Sequence, residues 1–165
     1  VLPNARKGGQ ALTSMLEELG YEVVHVPDAT CAAMEAGFIR AMQRAAGLEN
    51  VLIVVYFAGH AVEINGALMW AGIDADQGQA SKHFSVVELC KKLQLVHTRE
   101  GAAHFGADAP VRHAFFAFLA DCCRVPPDVP GLLGSFVSHF ERPGRGGQRG
   151  WPARPGFYFV YATDP

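Results

Sequence analysis

Residues 51–57, Val-Leu-Ile-Val-Val-Tyr-Phe, run straight into Ala58-Gly59-His60, and residues 115–120, Phe-Phe-Ala-Phe-Leu-Ala, run into Asp121-Cys122-Cys123-Arg124. Neither stretch alternates polar with apolar residues. A strand with one face in water must alternate, so an unbroken apolar run of this length predicts a strand covered on both faces, as in a parallel sheet between layers of helices. Residues 157–161 (FYFVY) form a third run of the same kind.

The segments between these runs carry helical spacing. Leu12, Met15, Leu16 and Leu19 recur on one face, and Gly20 stands where a helix C-cap would. Residues 21–26 (YEVVHV) read as a short strand and 27–30 as a turn. Thr30 or Asp28 is placed to cap a second helix over 31–46, with Met34, Phe38, Ile39 and Met42 on one side. Asn65-Gly66, inside 63–71, is a tight-hairpin signal. A third helix is expected over 85–95, a Gly/Ala-rich loop over 98–110, and a short helical piece over 132–140. Helices alternating with apolar strands predict an α/β fold: a three-layer αβα sandwich with a mainly parallel central sheet.

Composition bounds the rest. With 165 residues, half of them hydrophobic, the chain is the size of one domain and can bury a core. Its net charge of -2 carries no basic field for nucleic acid or an anionic membrane. The longest apolar run, 51–59, is half a membrane span. The four cysteines, Cys31, Cys90, Cys122 and Cys123, are too few for a disulfide scaffold and show no CxxC spacing, so a reducing, cytoplasmic setting with free thiols is expected. The chain opens without methionine and reads as part of a longer protein.

In open α/β sheets, functional groups gather beyond the carboxyl ends of the strands. Two strand ends here carry His60 and the Cys122-Cys123 pair. Alone, a histidine after a strand is more often a satisfied polar residue, and a buried cysteine is usually inert. Together at neighbouring strand ends they have a use: the imidazole takes the thiol proton, the thiolate attacks a carbonyl, and the imidazolium protonates the leaving amine.

At these residues the sequence resembles the caspase-like cysteine peptidases (caspases, metacaspases and paracaspases), in their large-subunit domain. The resemblance runs in order through LEELGYEVVHVPDAT (16–30), VYFAGHAVEINGALMWAGIDA (55–75), FLADCCR (118–124) and FYFVYATDP (157–165). It implies that 1–165 is one catalytic domain with an αβα sheet incomplete at both ends, and that 126–156 is a flexible processing loop. By position, His60 would be the catalytic histidine and Cys123 the nucleophile, because Cys123 holds the Asp-x-Cys place and Cys122 the variable middle place. The N–H groups of Ala61 and Cys123 would form the oxyanion hole, and Asp121 would line a pocket for a basic residue before the scissile bond. Asp121 could equally be a loop acid bonded to backbone amides. The implied activity is cysteine endopeptidase on protein or peptide substrates; the alternative is a weak or inactive homologue serving as a signalling module. A generic ligand-binding α/β domain in which His60 and Cys123 never meet is the third reading.

Several positions depart from the family pattern. Ala61 replaces a glycine, and if the backbone there needs positive φ, alanine weakens the donor, so that Ala61→Gly would raise kcat. Gly72 replaces a proline, and the acid that completes the basic-residue pocket falls near Lys7-Gly8-Gly9, where none stands. No cofactor is expected: Asp74 and Asp76 are too few for a calcium cage, and His97, His104 and His113 match no zinc spacing. Arg142, Arg145, Arg149 and Arg154 lie among Gly and Pro, which suits either a loop cleaved after arginine or a solvated linker.

Overall fold

The computed structural model describes residues 3–64, 67–75, 82–122 and 156–161. The elements in order are α1 (Pro3–Glu18), α2 (Cys31–Ala45), β1 (Asn50–Gly59), β2 (Ala61–Ile64), β3 (Ala67–Ala71), β4 (His83–Ser85), α3 (Val86–Leu93), α4 (Arg99–His104), β5 (His113–Cys122) and β6 (Gly156–Tyr161). Local chemistry sets their ends. Past α1, Gly20 takes φ +85°, its N–H donates to the Glu17 carbonyl, and the Tyr21 N–H donates to that of Leu16. This pair of bonds closes a helix on a left-handed residue, a conformation that glycine adopts without strain. Hydroxyls cap the other helices: Thr30 accepts from Ala33 N–H, Ser85 from Glu88 N–H and Thr98 from Gly101 N–H.

The central sheet has the order β1-β5-β6, and both pairings are parallel. Helices flank it, so the α/β expectation holds. Period-two alternation divides its faces. On β5 the even positions Ala114, Phe116, Phe118 and Ala120 are buried. The first three join Val55 of β1, Met34 and Met42 of α2, Leu89 and Leu93 of α3, and Phe105 in one core. On β1 the opposite face carries Tyr56, and a Cβ at Gly8 of α1 would lie 3.6 Å from the Tyr56 hydroxyl. Thus α1 covers one side of the sheet and α2 and α3 the other.

A second, antiparallel sheet, β2-β3-β4, follows β1 directly. Trp70 of β3, almost fully buried, stacks on Phe57 of β1 with ring centroids 4.4 Å apart, and on Phe84 of β4 at 6.0 Å. Phe38 of α2 continues the stack onto Phe84 at 5.4 Å. Offset stacks of this kind add to the area they bury, and here they fasten the small sheet to the large one.

Three expectations need correction. Residues 21–26 form no strand. A strand needs a partner, and a cleft of about 620 Å³, lined by Val23, Val24, Leu52 and Val54 among others, lies between this segment and β1. The segment is tied to α2 instead: Arg44 donates to the Val23 carbonyl at 3.3 Å and pairs with Glu22 at 3.0 Å. The same cleft leaves the outer face of β1 less covered than its apolar sequence predicts, with Leu52 exposed. Finally, residues 98–110 are not all loop. Thr98 starts α4, and Gly101 marks a close approach, since a Cβ there would run into the Leu95 carbonyl. The short strand β4 also went unread; three residues carry too little pattern. The hairpin tip Asn65-Gly66, the 132–140 piece and residues 126–155 of the expected processing loop lie outside the described residues.

Two glycines therefore respond in opposite ways. Gly8→Ala meets only an ordinary van der Waals contact with the Tyr56 hydroxyl and gains helix propensity, so it is expected to raise stability by about 0.5–1 kcal/mol. Gly101→Ala forces backbone apart and is expected to lower stability by about 1–3 kcal/mol. Urea melts of the two variants beside the parent chain measure both signs.

Candidate active site

β1 and β5 run side by side in parallel for ten register pairs, from Asn50 opposite His113 to Gly59 opposite Cys122. The chain leaves β1 at His60, and Cys123 is the residue after Cys122 in sequence. Cys123 lies outside the described residues. Cys122 is half-buried and takes an even position on β5, in step with Phe118 and Ala120 on the core face.

His60 is an exposed residue between two strands that diverge. Its carbonyl accepts the Ala71 N–H at 2.9 Å, which ties it to β3. The Phe57–Trp70 stack holds the chain just before it. The Phe57 ring leans along β1 over Gly59, where a Cβ would come within 2.8 Å of it. The glycine in Ala-Gly-His is thus a packing requirement: any side chain would displace the ring on which Trp70 rests.

Ala61 opens β2 opposite Trp70. Among the described residues, Asp28 alone of the non-glycines has positive φ. Ala61 is therefore in ordinary strand conformation, and the expected cost of an alanine there does not arise; the basis for a gain from Ala61→Gly goes with it. The bond from Ala71 N–H to the His60 carbonyl makes Ala61–Trp70 the non-hydrogen-bonded kind of antiparallel pair, so the Ala61 N–H points away from β3.

Gly72 is also explained by contact. A Cβ on it would stand 2.7 Å from the Cys31 nitrogen at the start of α2. The strap that follows binds that helix: Ile73 N–H donates to the Ala29 carbonyl at 2.9 Å, and Asp74 Oδ1 accepts the Cys31 N–H at 3.0 Å. A carboxylate at a helix N-terminus is well placed for charge as well as hydrogen bonding. Asp74 thus has a structural task, and Asp76 lies outside the described residues. The three histidines do not assemble: among the described residues no group of three potential ligands is close enough to hold a metal.

Asp121 sits on the face of β5 turned toward α1, beside Ala58 of β1. It is exposed, and Oδ2 accepts from the Tyr56 hydroxyl at 3.5 Å. Burial, then the negative charge of Asp121 and this hydrogen bond, push the Tyr56 phenol above its ordinary value. The contact between Tyr56 and Asp121 is not legible in the sequence. Its signal was the alternation along β1, which puts positions 56 and 58 on one face, but the partner across the ladder becomes visible only once the register is known.

The other described cysteines differ in kind. Burial pushes the Cys90 thiol up to about 12. Burial, then Asp74 and Glu35, raise Cys31. Both favour the inert, protonated thiol. In the unfolded chain Cys90 ionises near 9, so the unfolded state sheds its proton first as pH rises. Stability is expected to be level with respect to this group below pH 9 and to fall from there to about pH 12, by at most about 1.4 kcal/mol per pH unit. Urea melts across this window, with Cys90→Ala giving a shallower decline, check it. Iodoacetamide at pH 8 should leave Cys90 unmodified in the folded chain.

No helix among the described residues is long and apolar enough to cross a membrane. No curated protein matches this sequence. The family model for the caspase domain matches residues 1–165. With that match over the whole chain, and a mainly parallel sheet flanked by helices beneath it, the chain belongs to the caspase-like cysteine peptidase family.

Proposed function

We propose that this chain is a cysteine endopeptidase domain that hydrolyses peptide bonds after basic residues. The observation that carries the reading is the β1–β5 register: Gly59 lies opposite Cys122, and His60 and Cys123 each follow that last pair by one residue. Strand alternation gives Cys122 the core face, which leaves Cys123 as the nucleophile in this reading.

In this reading His60 accepts the Cys123 proton, and the thiolate attacks the carbonyl carbon of the scissile bond. The N–H groups of Ala61 and Cys123 stabilise the oxyanion that forms. The His60 imidazolium then protonates the amine as the C–N bond breaks, leaving an acyl-enzyme thioester. A water molecule, deprotonated by His60, attacks the thioester and frees the acid product, and the thiol returns. Asp121 supplies the negative charge that recruits an arginine or lysine side chain. The partners required are protein or peptide substrates; no step calls for a cofactor.

Two measurements test this. Cys123→Ala should abolish turnover of a fluorogenic peptide, while Cys122→Ala should retain most of it; the reverse pattern assigns the nucleophile to Cys122. Across a peptide panel, cleavage after Arg or Lys should exceed cleavage after Asp by about a hundredfold, the size of a desolvated charge pair in a pocket. Efficient cleavage after Asp and none after Arg would overturn the specificity. Binding of basic peptides without turnover would support the signalling module instead.

A further inference from the structure

On the side of the sheet facing α1, three elements converge on one hydroxyl. Tyr56 of β1 lies opposite Leu119, and Asp121 lies opposite Ala58, so the two side chains are diagonal neighbours on one face. The Tyr56 hydroxyl donates to Asp121 Oδ2 at 3.5 Å. A Cβ at Gly8 would stand 3.6 Å from the same hydroxyl, so α1 brings bare backbone to this point.

We infer that Tyr56 is a positioning residue for substrate selection: its hydroxyl holds one carboxylate oxygen of Asp121, leaving the other to receive the cationic side chain that precedes the scissile bond. This rests on the reading of Asp121 as the selecting acid. An exposed carboxylate rotates freely, and each binding event must stop that rotation. A hydroxyl that already holds one oxygen removes part of this cost. The phenol has a single proton to give. Because Gly8 presents no side chain, α1 sets no side-chain acceptor beside the hydroxyl at this position, and the proton goes to Asp121. The raised phenol keeps the group a neutral donor throughout the neutral range.

The test compares a peptide ending in arginine with the same peptide ending in citrulline, which keeps the shape and lacks the charge. Affinities are measured by calorimetry on the full chain. The parent should prefer arginine, Asp121→Asn should abolish the preference, and Tyr56→Phe should cut it about three- to tenfold, the net value of one ordinary hydrogen bond, as suits an exposed contact of 3.5 Å. In the Asp121→Asn background, Tyr56→Phe should change nothing further. No preference in the parent, or one that survives Asp121→Asn, overturns the role of Asp121 and this inference with it. A preference lost in Asp121→Asn yet intact in Tyr56→Phe overturns the inference alone, as does an equal loss of both peptides in Tyr56→Phe. A second reading leaves Tyr56 in place. In Asp121→Asn the acceptor charge is gone, so the Tyr56 phenol, followed by its 13Cζ resonance, should ionise at lower pH. An unmoved titration refutes the contact.

Discussion

The parallel pairing of β1 with β5 is the constraint on which the site depends. Its register is fixed by packing: Val55 of β1 and Phe116 and Phe118 of β5 must reach the same core, and a slip of one residue would turn them to the other face. With that register set, the two strands end together, Gly59 beside Cys122. The hydrophobic core on one side of the sheet positions polar chemistry at its rim.

Aromatic stacking does the corresponding work on the other side of His60. The chain must turn from a parallel sheet into an antiparallel one within a single residue. The Phe57–Trp70–Phe84–Phe38 stack joins β1, β3, β4 and α2, so β1, which ends just before His60, and β3, the partner of the strand just after it, rest on the same rings. The indole N–H of Trp70 is buried with no hydrogen-bond partner among the described residues, so ring contact rather than hydrogen bonding holds that indole in place. Gly59 and Gly72 belong to this arrangement as well. Each admits a neighbour too close for a side chain, one a ring and the other the start of α2. Two departures from the family pattern, Gly72 and Ala61, thus sit without strain in their surroundings.

The opposite face of the sheet is more open. Among the described residues α1 contributes none to the core, and a cleft lies beside β1. Polar groups survive there because they are not fully desolvated. The Tyr56–Asp121 contact is of that kind: an exposed carboxylate held by a half-buried phenol. The division of the sheet into a dry face that fixes geometry and a wetter face that carries charge follows from period-two alternation along β1 and β5.

The sequence alone determined the elements whose signals are local. Unbroken apolar runs marked β1, β5 and β6; Thr30 and Ser85 marked helix starts; Gly20 marked a helix end; and the strand ends pointed to His60 and the Cys122-Cys123 pair, with Asp121 added by the family resemblance. These signals are legible because side-chain period and capping chemistry act within a few residues. What depends on distant partners was not legible. Residues 21–26 have strand composition but no strand beside them, so they remain extended without a ladder. Gly101 reads as a loop breaker until the Leu95 carbonyl is found against it. Ala61 reads as a liability until its place opposite Trp70 shows an ordinary strand conformation. Tyr56 reads as one more apolar strand residue until the register sets Asp121 beside it. In each case the deciding atom belongs to another element, and only the tertiary structure brings it near.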